Sequence, residues 1–130
     1  MSLVAKLSAL ATRIGAEIKG LVHPSHPGLA RAWVSFGFNG SAMQVASSYN
    51  VATVTRLAAG RYRVTFATPF ANANYCWVAT CRSNTASGNL RFAAARSTTD
   101  GKTTSQLELV CTTSTASLAD TTEVNLVVFG

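Results

Sequence analysis

Val4, Leu7, Ala11, Ile14, Ile18 and Leu21 follow one another at spacings of 3, 4, 3, 4 and 3 residues. A helix with this spacing carries one continuous apolar seam, the a/d seam of a coiled coil. Ser2 stands where an N-cap belongs. With Val4, Ala11 and Ile18 at a, the d positions are Leu7, Ile14 and Leu21. Isoleucine at d disfavours a parallel dimer, and Leu3 and Leu10 at g widen the apolar face, so a trimeric stem over residues 1–22 is expected. Three heptads span about 30 Å. A helix this short is marginal alone, and Gly15 and Gly20 weaken it further. The seam must be covered, either by copies of itself or by the rest of its own chain.

Residues 23–29, HPSHPGL, cannot continue the helix, because two prolines and a glycine break it. His23 and His26 lie in this linker. One histidine from each chain of a trimer could ring a metal on the symmetry axis. The segment offers no carboxylate or cysteine partner, however, so neither metal nor cofactor is expected.

Residues 30–130 read as one β-domain. Short runs rich in Val, Thr and aromatics recur with turn signals between them. The pattern predicts strands at about 31–38, 42–47, 51–57, 61–68, 75–82, 90–96, 103–112 and 123–129. Arg61–Phe66 alternates cleanly, with Tyr62, Val64 and Phe66 on one face and Arg61, Arg63 and Thr65 on the other. Asn39-Gly40, Ala59-Gly60, Ser87-Gly88 and Asp100-Gly101 are turn dipeptides. Residues 75–81 are apolar on both faces, as are 124–129 apart from Asn125; such strands are covered twice, in a core or by a neighbouring chain. The expected fold is mainly β: a short N-terminal helical coiled-coil stem, then an antiparallel β-sandwich head.

Charge narrows the function. Charged residues are only 12% of the chain, and 13 Ser and 16 Thr take their place. With 48% hydrophobic residues this is not a disordered chain. No apolar run is long enough to cross a membrane, and the first residues lack the cleavage pattern of a signal peptide. The net charge of +6 fits an anionic partner or a solubility role. The basic residues are spaced along the chain rather than gathered in a stripe, which argues against nucleic acid. No GxSxG, HExxH, P-loop or GxGxxG occurs, and both histidines lie in the linker, so no enzyme is expected. The three cysteines, Cys76, Cys81 and Cys111, form no CxxC and are expected to be reduced in a protein made in a cytoplasm. Cys76 and Cys81 point to opposite faces of one strand, so only Cys111 could pair with either.

Several segments follow one another in a recognisable order. They are Ala32-Trp-Val-Ser-Phe36, Val45-Ala-Ser-Ser-Tyr-Asn-Val51, Val54-Thr-Arg56, Gly60-Arg-Tyr-Arg-Val-Thr-Phe66, Ala71-Asn-Ala-Asn-Tyr75 and Glu123-Val-Asn-Leu-Val-Val-Phe-Gly130. The series resembles the C-terminal domain of tailed-bacteriophage tail fibres over about residues 32–130. Ser35 departs from that pattern, as do Arg61 and Arg63, and residues 83–104 have no counterpart in it. The resemblance implies a homotrimer located in the virion, made in the host cytoplasm. The stem would attach it to other tail or baseplate proteins, and the head would bind host cell-surface polysaccharide. The alternative is a virion part without receptor-binding activity, such as a capsid decoration or baseplate trimer.

Strand parity places the recognition surface. Successive antiparallel strands reverse direction, so connections 39–41, 57–60, 83–89 and 113–121 fall at the end away from the linker. Connection 83–89 is bracketed by Arg82 and Arg91, which could clamp an anionic group, while Asn84 and Asn89 supply amides. The competing readings are that these loops are merely solvated, or that the opposite end, with Ala71–Asn74, does the binding.

Overall fold

The computed structural model describes residues 1–23, 26–83, 90–96 and 101–130. Helix α1 spans Leu3–Leu21. The Ser2 hydroxyl accepts the Ala5 N–H at 3.2 Å, and the Val22 N–H closes the last turn on the Ile18 carbonyl. Every residue from 1 to 23 is exposed, and α1 has no buried residue. Within one chain the helix therefore does not pack on its own β-domain. Leu7, Ile14 and Ile18 stay 57%, 48% and 56% exposed, and their stripe is uncovered.

Among the described residues eight strands follow: β1 (Ala30–Phe38), β2 (Met43–Tyr49), β3 (Val51–Ala58), β4 (Arg61–Phe66), β5 (Cys76–Cys81), β6 (Arg91–Ala95), β7 (Gln106–Thr113) and β8 (Val124–Phe129). They form two antiparallel four-stranded sheets, in the orders β2-β1-β8-β5 and β3-β4-β7-β6. The period-2 alternation explains why these segments are strands. Tyr62, Val64 and Phe66 of β4 turn inward and are buried, as do Ala32, Val34 and Phe36 of β1, Leu107, Leu109 and Cys111 of β7, and Val124, Leu126 and Val128 of β8. These residues make one buried cluster. Phe36 and Tyr62 join the sheets edge to face at 5.3 Å between ring centroids.

For the strand at 75–81 the core supplies only one of the two covers expected. β5 is an edge strand; Trp77, Ala79 and Cys81 pack on the core, but Cys76, Val78 and Thr80 are exposed. Its second apolar face is thus uncovered within the chain.

Glycine at position 37 is dictated by a crossing segment. A Cβ there would lie 1.9 Å from the Thr122 carbonyl oxygen, and the neighbouring Phe38 N–H bonds Thr121 O. Gly37→Ala is expected to cost about 3 kcal/mol, or roughly 12–24 °C in Tm, measured by thermal unfolding with far-UV circular dichroism.

The connections sort into two ends. Residues 39–42, 59–60 and 114–123 lie at the far end: Phe38 bonds Thr121, and Arg82 N–H bonds Glu123 O. The linker end holds Asn50 and residues 67–75 and 102–105 together with the last residues of β8. Asn50 ties this end together. It sits at φ 53, its Nδ2 donates to the Arg31 and Thr68 carbonyls, and its Oδ1 accepts the Thr68 N–H. Asparagine tolerates this left-handed conformation better than other non-glycine residues. It also breaks residues 43–58 into two strands that belong to different sheets.

Candidate functional site

The far end was the expected recognition surface, and much of its charge is spent internally. The Asp120 carboxylate accepts from Arg56 Nε at 3.1 Å and Nη2 at 2.8 Å, from the Gly60 N–H at 2.9 Å and from the Tyr62 hydroxyl at 2.8 Å. The Arg56 guanidinium also lies over the Phe38 ring at 4.5 Å. The hydrogen bonds from Arg56 hold the Asp120 carboxyl below the usual carboxylate range, against the opposing effect of burial. Burial first, then the bond to Asp120, pushes the Tyr62 hydroxyl up.

Arg82 is exposed at this end, but its Nη1 lies 3.6 Å from the Glu123 carboxylate, and its carbonyl accepts the Thr121 hydroxyl. Arg91 stands on the inward side of β6, where it favours the thiolate forms of Cys81 and Cys111. Its Nε is buried with no hydrogen-bond acceptor among the described residues. Cys81 and Cys111 stand near each other, one from each sheet, and this interaction followed by burial pushes the Cys81 thiol up. All three cysteines are free. The structure thus brings Arg82 and Arg91 to the same end but gives each a neighbour within the chain. Asn84, Asn89 and the Ser87-Gly88 turn lie outside the described residues.

A second carboxylate was not anticipated as a structural element. Glu108 is on the outward side of β7, yet its side chain is fully buried between Arg63 and Arg96. Burial alone would raise its carboxyl, but the hydrogen bonds from the two arginines outweigh this and leave it lowered. The +6 surplus therefore rests on other groups. Among the described residues, Lys6, Lys19, Arg31, Arg61, Arg91 and Lys102 form no ion pair.

Two of those cations frame a hollow at the linker end. Phe70, Ala71, Asn72, Asn74, Tyr75 and Gly130 line a space of about 290 Å³. Phe70 and Tyr75 are buried beneath it, with ring centroids 4.6 Å apart. Arg31 lies over the Phe70 ring at 5.9 Å and donates to the Gly130 carbonyl, and Lys102 Nζ lies 4.7 Å from the Tyr75 ring. Burial pushes the Tyr75 hydroxyl up to about 12, and it donates inward, to the Thr103 and Gln106 carbonyls. The Asn72 side chain accepts the Asn74 N–H, which shapes the turn. Exposed amides, an aromatic floor and cations are groups that hold sugar hydroxyls and carboxylates. The Ala71-Asn-Ala-Asn-Tyr75 turn was visible in the sequence; its approach to Arg31 and Lys102 was not.

In the linker, His26 Nδ1 accepts the Gly28 N–H at 3.0 Å, a turn-forming role. Among the described residues no group of three or more His, Cys, Asp or Glu could hold a metal ion, and no helix is long and apolar enough to cross a membrane. The chain matches no known protein family, no curated protein and no solved structure.

Proposed function

We propose that this chain is a virion structural protein, a short bacteriophage tail fibre. In this reading α1 forms a three-stranded parallel coiled coil that attaches to tail or baseplate proteins. The two sheets form a sandwich head, and the head binds host surface polysaccharide during adsorption. The observation that carries the reading is the uncovered heptad stripe of α1: six apolar seam positions stay exposed in the single chain, which is costly unless copies cover them. The ordered series of β-domain motifs agrees with it. Three copies of a weak sugar site gain by avidity, since the second and third contacts form at the high effective concentration set by the first.

The test is glycan binding and phage adsorption with two double variants on a confirmed trimer. Arg82→Ala with Arg91→Ala removes the two cations of the expected clamp. Asn72→Ala with Asn74→Ala strips the amides from the linker-end hollow. A site at the far end predicts at least a tenfold loss from the first pair and little from the second; the reverse result places the site in the hollow.

One observation favours a second reading, a structural virion part such as a capsid decoration or baseplate trimer. Arg56 and Arg82 are both occupied by carboxylates of their own chain, which leaves less charge at the far end for a ligand. Immunogold labelling over the capsid, with binding unchanged in both double variants, would establish it.

A further inference from the structure

The cross-strand registers of the β2-β1-β8-β5 sheet put Tyr49 opposite Trp33, Trp33 opposite Val127, and Val127 opposite Val78. All four occupy the outward side, away from the buried cluster. They form one apolar row across the whole width of the sheet. Trp33 remains 38% and Val78 63% exposed. Phe129 and Cys76 extend the row toward the linker end. The neighbouring row, Ser35–Asn125–Thr80, is polar but uncharged. The other sheet is different: its outward side carries Arg61, Arg63 and the Glu108 pair with Arg96, so the exposed Phe92 there sits among charges.

We propose that the outer face of the β2-β1-β8-β5 sheet is covered by a second copy of this chain. The proposal rests on the reading that copies assemble through α1, and it adds where their heads meet. The charge distribution names the occupant. Each copy carries +6, so copies repel through most of their surface. Heads approach closely only through faces without that charge, and the apolar row carries none: Arg31 lies at the linker edge of this face, and at its far edge Glu123, bonded to Asn125, is paired with Arg82. The chain also delivers the face to the right place. β1, which carries Trp33, begins directly after the seven-residue linker, which reaches at most about 25 Å. Stems held together therefore keep the three faces at high effective concentration. Covering aromatic and β-branched side chains that a single chain leaves in water then supplies the driving force.

Cys76 is a built-in probe, because its thiol is exposed on this face in the single chain. The experiment measures the rate at which a maleimide labels Cys76, assigned by peptide mass mapping. It compares the wild type with Ile14→Asp, which breaks the stem, and with Val78→Arg, which puts charge into the row. Light scattering is run on each. The expected result is an oligomeric wild type that labels at least tenfold more slowly than Ile14→Asp. Val78→Arg should keep the oligomeric mass yet label at the fast rate. An oligomeric wild type whose Cys76 labels as fast as in Ile14→Asp overturns the head-to-head face and leaves the stem reading standing. So does slow labelling that Val78→Arg does not relieve, since another cover is then responsible. A monomeric wild type overturns both.

Discussion

Ile14→Asp is expected to reduce the assembly to single chains, so that light scattering falls from about three times the 13.6 kDa chain mass to one. In the proposed trimer the substitution puts three carboxylates into one layer of the stem, where each buried, unpaired charge costs several kcal/mol. No residue of α1 is buried against the β-domain, so the head should keep its thermal transition in the same variant. The pair of measurements separates assembly from folding. A variant that still scatters as a trimer shows that the seam is not what joins the copies.

Asp120→Ala is expected to have the largest effect on the stability of the head. It leaves the buried Tyr62 hydroxyl and the buried Gly60 N–H without their acceptor and the Arg56 guanidinium without its counter-ion. Losing one partner of such an arrangement costs about 3–5 kcal/mol, read as a fall in the denaturant midpoint at unchanged m-value. Acid should reproduce part of this loss. Asp120 and Glu108 are both held below their ordinary values in the folded chain. Their contribution is therefore fully present above the unfolded-state values of about 3.9 and 4.3, and it is lost as pH falls from there through the lowered folded values. Wild type should lose stability steeply below about pH 4. Asp120→Ala should show a shallower slope in that window. An equal slope would mean that Asp120 carries no folded-state shift.

Much of the head was legible because alternation and turn dipeptides are local signals. The strands of the described residues overlap the segments expected from their β-branched and aromatic runs, most cleanly the alternating β4, and Asn39-Gly40 and Ala59-Gly60 mark real reversals. Counting strands then sorted the loops between two ends. Which cover the second face of 75–81 meets was not legible: the run is two-faced in sequence, and because β5 lies at a sheet edge its own chain leaves one of those faces open. The ion pairs were not legible at all. Arg56 meets Asp120 from 64 positions away, and Arg63 meets Glu108 from 45. Nothing in the spacing of a lone arginine announces such a partner; of the two arginines read as a clamp, Arg82 faces Glu123, while Arg91 forms no ion pair among the described residues. The linker-end hollow was half visible, through its asparagine turn, while Arg31 and Lys102 arrive there only when β1 and the segment before β7 are folded.

The placement of β1 between β2 and β8 has a mechanical consequence. A pull on the stem enters the head at Ala30 and runs along the axis of β1. Ladder hydrogen bonds lie across the strands, so those on both sides of β1 are loaded together in shear rather than opened one at a time. In the proposed fibre, tension between an attached stem and a bound head would fall on the strand with a neighbour on each side. The terminal residues 129–130 sit beside the point of entry, with Ala30 opposite Phe129, so the last strand shares the load from its own end. If the proposed function holds, detachment under force should begin at the receptor contact or the linker before β1 slides.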